Sequence, residues 1–258
     1  MGLEIIRAHA KALRLPTTDT LDLARRAVWP LETFLEHLLT QEVIGRRDSQ
    51  ITRLTRAAHL PPGKTLEVCD QSRLPLRLRR QRPHLREGEF IGRAENFLIF
   101  GLPGTGKTHL GAALGFEWIQ SSYSVLFIST FKLVDRLLRA KQDYELESEL
   151  RRLDRFQVVI VDDLGYVQQS REEMEVLFTF LAERYERRSV VITSNLVFSE
   201  WDQIFKDPLT TAAAIDRVVH HSLIIEFGRE IRSFRAEEAA RRTGIRLDGS
   251  DTAQDMAA

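Results

Sequence analysis

The chain has a single cysteine, Cys69, in 258 residues, which excludes an intrachain disulfide framework and a multi-cysteine metal site and points to a reducing compartment. No apolar run approaches the ~18 to 20 residues of a membrane span. The opening stretch MGLEIIRAHAKALRL mixes charge into its apolar residues instead of placing an apolar block after a basic one, so a cytoplasmic location is expected. Net charge is also missing, since 37 Lys+Arg balance 37 Asp+Glu. Aromatics are sparse in residues 1–90, where only Trp29, Phe34 and Phe90 occur. With 43% hydrophobic and 29% charged residues, disorder as the main state is excluded. At ~100 to 200 residues per domain, the length fits one large domain or one with a small appendage.

The zero net charge hides an asymmetry. Residues 1–90 hold 16 Lys+Arg against 11 Asp+Glu, whereas residues 91–258 hold 21 against 26. Arg73, Arg77, Arg79, Arg80, Arg82 and Arg86 lie in a stretch, Gln71 to Arg86, that contains no acid. Such a block either neutralises phosphates or is a solvated linker. Breakers divide the first ~60 residues into short helices: Leu3 to Leu15 before Pro16, a second from Thr20, a third from Leu31 after Pro30, and a fourth from Ile51 after Asp48 and Ser49. Leu31, Phe34, Leu35, Leu38 and Leu39 recur at helical spacing and read as a core stripe. The expected organisation is a helical N-terminal domain over residues 1–65, an Arg-rich linker over 66–88, a larger domain over 89–242 and a loose tail over 243–258.

From Asn96 the pattern changes to short apolar runs separated by helical ones. Phe97–Phe100, Val125–Ser129, Val158–Val161, Val190–Thr193 and Leu223–Phe227 predict a parallel sheet covered on both faces. The first strand enters Gly101-Leu102-Pro103-Gly104-Thr105-Gly106-Lys107-Thr108, followed by His109 and a helical segment. This is a phosphate-binding loop in its required strand-loop-helix context. Its backbone N–H groups cradle a β-phosphate, Lys107 bridges β- and γ-oxygens, and the Thr108 hydroxyl ligates Mg²⁺. Val158 to Val161 end in Asp162 and Asp163. Asp162 is expected to support the hydrated metal, and Asp163 to orient or deprotonate the attacking water. Glutamate is the commoner residue at that second place, and the shorter Asp predicts slow hydrolysis. Asn195, ending a further strand, falls on the same sheet edge and either bonds the γ-phosphate or water or starts a turn. Spacing alone does not place Arg217 or Arg235.

Taken together these residues resemble the IstB/DnaC-like branch of the AAA+ ATPases, the helper ATPases of insertion-sequence transposition in particular. The resemblance rests on Lys11-Ala12-Leu13-Arg14-Leu15, Glu95-Asn96-Phe97, Gly101 to Leu110, and Asp162-Asp163-Leu164-Gly165-Tyr166. It continues through Glu183-Arg184-Tyr185-Glu186-Arg187-Arg188-Ser189, Ile192 to Leu196 with Phe198-Ser199-Glu200-Trp201, and Asp216-Arg217-Val218-Val219-His220-His221. It implies an α/β AAA+ P-loop domain, a five-stranded parallel sheet flanked by helices, preceded by a small all-α domain. Asn195 is then the sensor-1 residue and Arg217 the arginine finger that reaches a neighbouring subunit's nucleotide. Arg235 becomes the sensor-2 arginine, with Phe234 in place of the family's Tyr and Arg232 as the competing assignment. ATP and Mg²⁺ are the implied cofactors. The implied partners are duplex DNA, a transposase and further copies of the chain in a ring or spiral, the assembly bending target DNA and stimulating the transposase. Arg73, Arg77, Arg79 and Arg80, and Lys132, Arg136 and Arg139 on one helix, are the DNA-contact candidates. Two alternatives stand beside this: a DnaC-type helicase loader, disfavoured by the few aromatics before residue 90, and a nucleotide-sensing scaffold without turnover.

Overall fold

The computed structural model of the chain describes residues 30–69, 74–165, 170–201, 208–228 and 233–234. The chain divides into two compact units, Met1–Arg56 and Ala57–Ala258. In the first, the described residues after Pro30 belong to helix α1 (Leu31–Ala58), which ends two residues past the boundary. The two helices expected from Leu31 and from Ile51 are therefore one. Asp48 and Ser49 lie inside it, because residues of this type cost only a few tenths of a kcal/mol each in a helix interior, too little to break it without Pro. The expected core stripe is partly open: Phe34 and Leu38 are half-buried, and Leu35 and Leu39 are exposed. Helices expected before Pro30 lie outside the described residues.

The second unit is built on β1 (Asn96–Phe100), β2 (Val125–Ser129), β3 (Val158–Leu164), β4 (Ser189–Ser194) and β5 (Ser222–Glu226). They form one sheet in the order β2-β3-β4-β1-β5, parallel at every pairing. Near-continuous Val/Ile/Leu/Phe in β1, β3 and β4 leaves no polar face, so the sheet is covered on both sides. Between the strands run α4 (Lys107–Gln120), α5 (Thr130–Gln142), α6 (Leu146–Leu153), α7 (Arg171–Arg184) and α8 (Pro208–Val219). Side chains alternate along each strand. Ile99, Ile160 and Thr193 approach Gly111 of α4. Leu98, Phe100, Val159, Val161, Val190 and Ile192 face the cluster built with Leu133 and Leu137 of α5, Leu177 and Phe180 of α7, and Ala214 and Val218 of α8. No helix among the described residues is long and apolar enough to cross a membrane.

The segment expected as a linker holds structure. Helix α2 (Leu76–Glu87) and the short α3 (Glu89–Gly92) precede β1. Leu66, Leu74 and Leu85 are buried, and the Trp118 indole donates to the Leu85 carbonyl at 2.6 Å. Five arginines made α2 read as solvated, yet Leu85 docks it on the unit that carries the sheet.

Candidate functional site

In a parallel sheet the C-terminal ends of the strands share one edge, and there the structure places the phosphate loop, Asp162, Asp163 and Asn195. Gly104 and Gly106 take φ of +81° and +102°, the left-handed backbone that turns the loop into the N-terminus of α4 and that a side chain resists. Lys107 is buried, and its ammonium donates to the carbonyls of Gly101 at 2.6 Å and Leu102 at 2.9 Å. The Thr105 hydroxyl donates to Leu102 O at 2.8 Å. The His109 ring lies 3.0 Å from the Thr65 carbonyl, so it anchors the chain between α1 and α2 to the first turn of α4.

Asp162 is 5% exposed. Its Oδ1 accepts from the Thr193 hydroxyl of β4 at 2.6 Å, and its carbonyl accepts from Thr130 of α5 at 3.0 Å. Burial pushes its carboxyl above the usual range and the charge of Asp163 adds to the rise, while hydrogen bonds from Thr193 and Thr108 and the charge of Lys64 oppose it. The Thr108 hydroxyl thus lies against Asp162, and Lys64 is near enough for its charge to act on that carboxyl. Asp163 is half-exposed at φ +61°, where the β3/β4 register shifts between Val161 and Leu164. Its N–H donates to Thr193 Oγ1 at 3.0 Å. That conformation costs about 1 kcal/mol for a non-glycine residue and frees the Asp163 carboxylate from the strand's alternation.

The Asn195 Oδ1 is buried without a hydrogen-bond partner among the described residues. Its loop is held from below by Trp201, fully buried, whose indole donates to Leu196 O at 3.2 Å. The Arg217 guanidinium stacks 4.5 Å from the Phe178 ring of α7, with Nη1 buried and unpartnered among the described residues. Arg235 and Arg232 lie outside the described residues. The two residues before Arg235 touch the phosphate loop: Phe234 N donates to Gly104 O at 2.9 Å, and a Cβ on Gly104 would stand 2.0 Å from Ser233 Oγ. An orphaned amide oxygen, a hydroxyl–carboxylate pair and left-handed glycines before a helix N-terminus fit a nucleotide triphosphate with its divalent cation.

The DNA-contact candidates fall apart by environment. Arg73, and the side chains of Arg77 and Arg80, lie outside the described residues; Arg79 is exposed and donates to Leu74 O at 3.0 Å. On α5, Lys132 is exposed, Arg139 pairs with Asp135 at 3.0 Å, and Arg136 is drawn onto Glu149 of α6, a carboxylate 8% exposed. Sequence reading missed Lys64, Thr193, Thr130 and Trp201. Lys64 follows Pro61-Pro62-Gly63, which reads as the end of a helical domain, and only tertiary packing carries it to Asp162. Thr193 stood two residues before Asn195 and would have been found by asking what hydrogen-bonds a buried aspartate.

Residues 8–241 match the family described as IstB-like ATP-binding protein. A Sinorhizobium fredii protein named as an insertion-sequence ATP-binding protein is 42% identical over 239 residues, 90% of this chain and 80% of that one. A Pseudomonas aeruginosa protein named for ATP binding in insertion sequence IS21 is 34% identical over 245 residues, 94% of this chain and 91% of that one. Among solved structures, DnaI is similar with a TM-score of 0.53 at 21% identity, covering 66% of this chain and 96% of that chain. AMPPCP-bound DnaA from Aquifex aeolicus gives 0.54 at 20% identity, covering 74% and 59%. These two carry the AAA+ fold alone.

Proposed function

The chain belongs to the IstB-like ATP-binding protein family, and on that premise we propose that it is an ATP-driven assembly factor of insertion-sequence transposition, oligomerising on and bending duplex DNA and recruiting a partner transposase that it stimulates. The observation that supports this best is the convergence of Lys107, Thr108, Asp162 and the Asn195 Oδ1, unpartnered among the described residues, on one sheet edge, in a chain whose relatives are named for ATP binding in insertion sequences. In this reading the loop N–H groups of Gly104 to Thr108 and the Lys107 ammonium hold the β- and γ-phosphates. Thr108 and Asp162 hold Mg²⁺, which when bound neutralises the phosphate charge. Asp163 orients the attacking water and takes its proton, while the Asn195 amide fixes the γ-phosphate or that water. Arg217 enters the neighbouring subunit's site and stabilises charge on the transferring phosphoryl group, which links ATP binding to assembly. Arg235 serves as the sensor-2 arginine, a role supported by the contact of the two residues before it, Ser233 and Phe234, with Gly104. ATP closes the oligomer on DNA and hydrolysis releases it. Exposed cations such as Lys132 and Arg79 grip phosphates without reading bases, and bent DNA presents more phosphate to a wrapping protein.

The test is binding to duplex and single-stranded DNA with ATP, a non-hydrolysable analogue and ADP while particle size is followed, with Lys107→Ala and Arg217→Ala as controls. Large assemblies on duplex DNA with ATP or the analogue, absent with ADP and in both variants, are expected. Preference for single strands would move the assignment to a helicase loader. ATP binding without phosphate release, with or without DNA, would leave a nucleotide-sensing scaffold.

A further inference from the structure

We propose that Glu186, His220 and His221 form a binding site for one borderline transition-metal ion, of the Zn²⁺, Co²⁺ or Ni²⁺ class, on the edge of the sheet opposite the phosphate loop. Asn96, Ser189 and Ser222 begin β1, β4 and β5, so the turns before them gather at the N-terminal edge. These turns wall a cavity of about 310 Å³. One ligand atom from each of the three side chains lies within 4.8 Å of the others. Tetrahedral coordination with ligand bonds of ~2.1 Å needs about 3.4 Å between ligand atoms, and exposed side chains close that gap by small rotations. Two imidazoles and a carboxylate are a donor set that borderline ions accept, leaving a fourth position for water. Hard ions such as Mg²⁺ prefer oxygen ligands.

The scaffold holds these groups together before any ion arrives. The buried Asn96 amide donates to Val218 O at 3.1 Å and accepts from Val190 N–H at 2.9 Å, tying the end of α8 to the start of β4. The His221 carbonyl accepts from Asn96 N–H at 3.1 Å. Glu186 and His221 both take left-handed backbone, with φ of +55° and +57°. Two such non-glycine residues facing one cavity cost about 1 kcal/mol or more each, strain of a kind that clusters at ligand sites. The Tyr185 hydroxyl sits 2.8 Å from His220 Nδ1, an outer contact that orients a ligating imidazole. The two histidine rings are 3.9 Å apart between centroids, nearer than the ~5 Å of two imidazoles on one tetrahedral ion, so these exposed rings splay by about 1 Å to share it. A bound ion ties the turn after α7 to the turn after α8, the helices that carry Phe178 and Arg217.

The test is Zn²⁺ titration of the EDTA-stripped full chain against a fluorescent chelator, with excess Mg²⁺ filling hard-oxygen sites. One Zn²⁺ per chain is expected. Affinity falls about tenfold or more in His221→Ala and in the milder Glu186→Gln, with circular dichroism confirming that both are folded. His84→Ala, which disrupts the other cluster of potential ligands among the described residues, His84, Glu87 and Glu89, leaves the affinity unchanged. Binding that is absent in the parent, survives both Glu186→Gln and His221→Ala, or is lost in His84→Ala overturns the proposal.

Discussion

Burial holds the Asp162 carboxyl above its ordinary value, so the folded state keeps that proton more firmly than the unfolded chain does. Stability contributed by this group is present in full below about pH 4 and is lost as pH rises through the raised value. Near neutral pH the ionised carboxylate is a load on the nucleotide-free fold, relieved in part by Lys64. Asp162→Asn should therefore raise the nucleotide-free Tm at pH 7.5 by about 2–4 °C while abolishing phosphate release, and the gain should vanish at about pH 4. Thermal melts at the two pH values check the sign. Lys64→Ala should weaken ATP by up to about fivefold, the reach of a partly solvated charge pair, read by fluorescent-nucleotide binding, with the Tm nearly unchanged. The place of Lys107 at the end of the phosphate loop was legible because a glycine-rich loop between strand and helix has few other uses. That of Lys64 was not, because nothing local in Pro61-Pro62-Gly63-Lys64 signals an aspartate a hundred residues away.

Strands were the legible elements, since an apolar run of five or six residues between helices fits little besides a buried parallel strand. Element boundaries and the amphipathic helices were less so. A polar Asp48-Ser49 pair suggested a break that α1 lacks, and the arginines of α2 masked the burial of Leu85. The turn after α7 shows a further kind of information that sequence conceals. Arg184 is 2% exposed, and its guanidinium donates to the carbonyls of Leu153, Phe156, Gln157 and Ser189 at 2.9–3.3 Å. Burial lowers its pKa to about 9, which still leaves it charged at pH 7. It closes the ends of α6, α7, β3 and β4 into one unit. Arg184→Ala leaves buried carbonyls unpaired and should cost about 3–5 kcal/mol, seen as a lower urea midpoint. Arg184→Lys, which lacks the planar fork, should recover only part of that loss.

For the whole molecule, the unit boundary at Ala57 argues that the segment ahead of β1 belongs to the ATPase fold. A chain beginning at residue 57 should melt cooperatively and bind ATP. One beginning at residue 89, where the motif alone would place the start, forfeits the burial of Leu66, Leu74 and Leu85. At ~1.5–3 kcal/mol per buried leucine that loss is about 5 kcal/mol or more, comparable to a domain's net stability, and calorimetry of the two fragments separates these outcomes. The strand order also sets a clock during synthesis. β1 is made first, yet its hydrogen-bonding neighbours are β4 and β5, so it has no partner strand until residue 194 has left the ribosome. At ~5–20 residues per second, an apolar edge ending in the phosphate loop waits about 5–20 s for its first neighbour. A nascent chain stalled before β4 therefore presents an aggregation-prone strand, and the growing polypeptide depends on chaperone shelter through that interval.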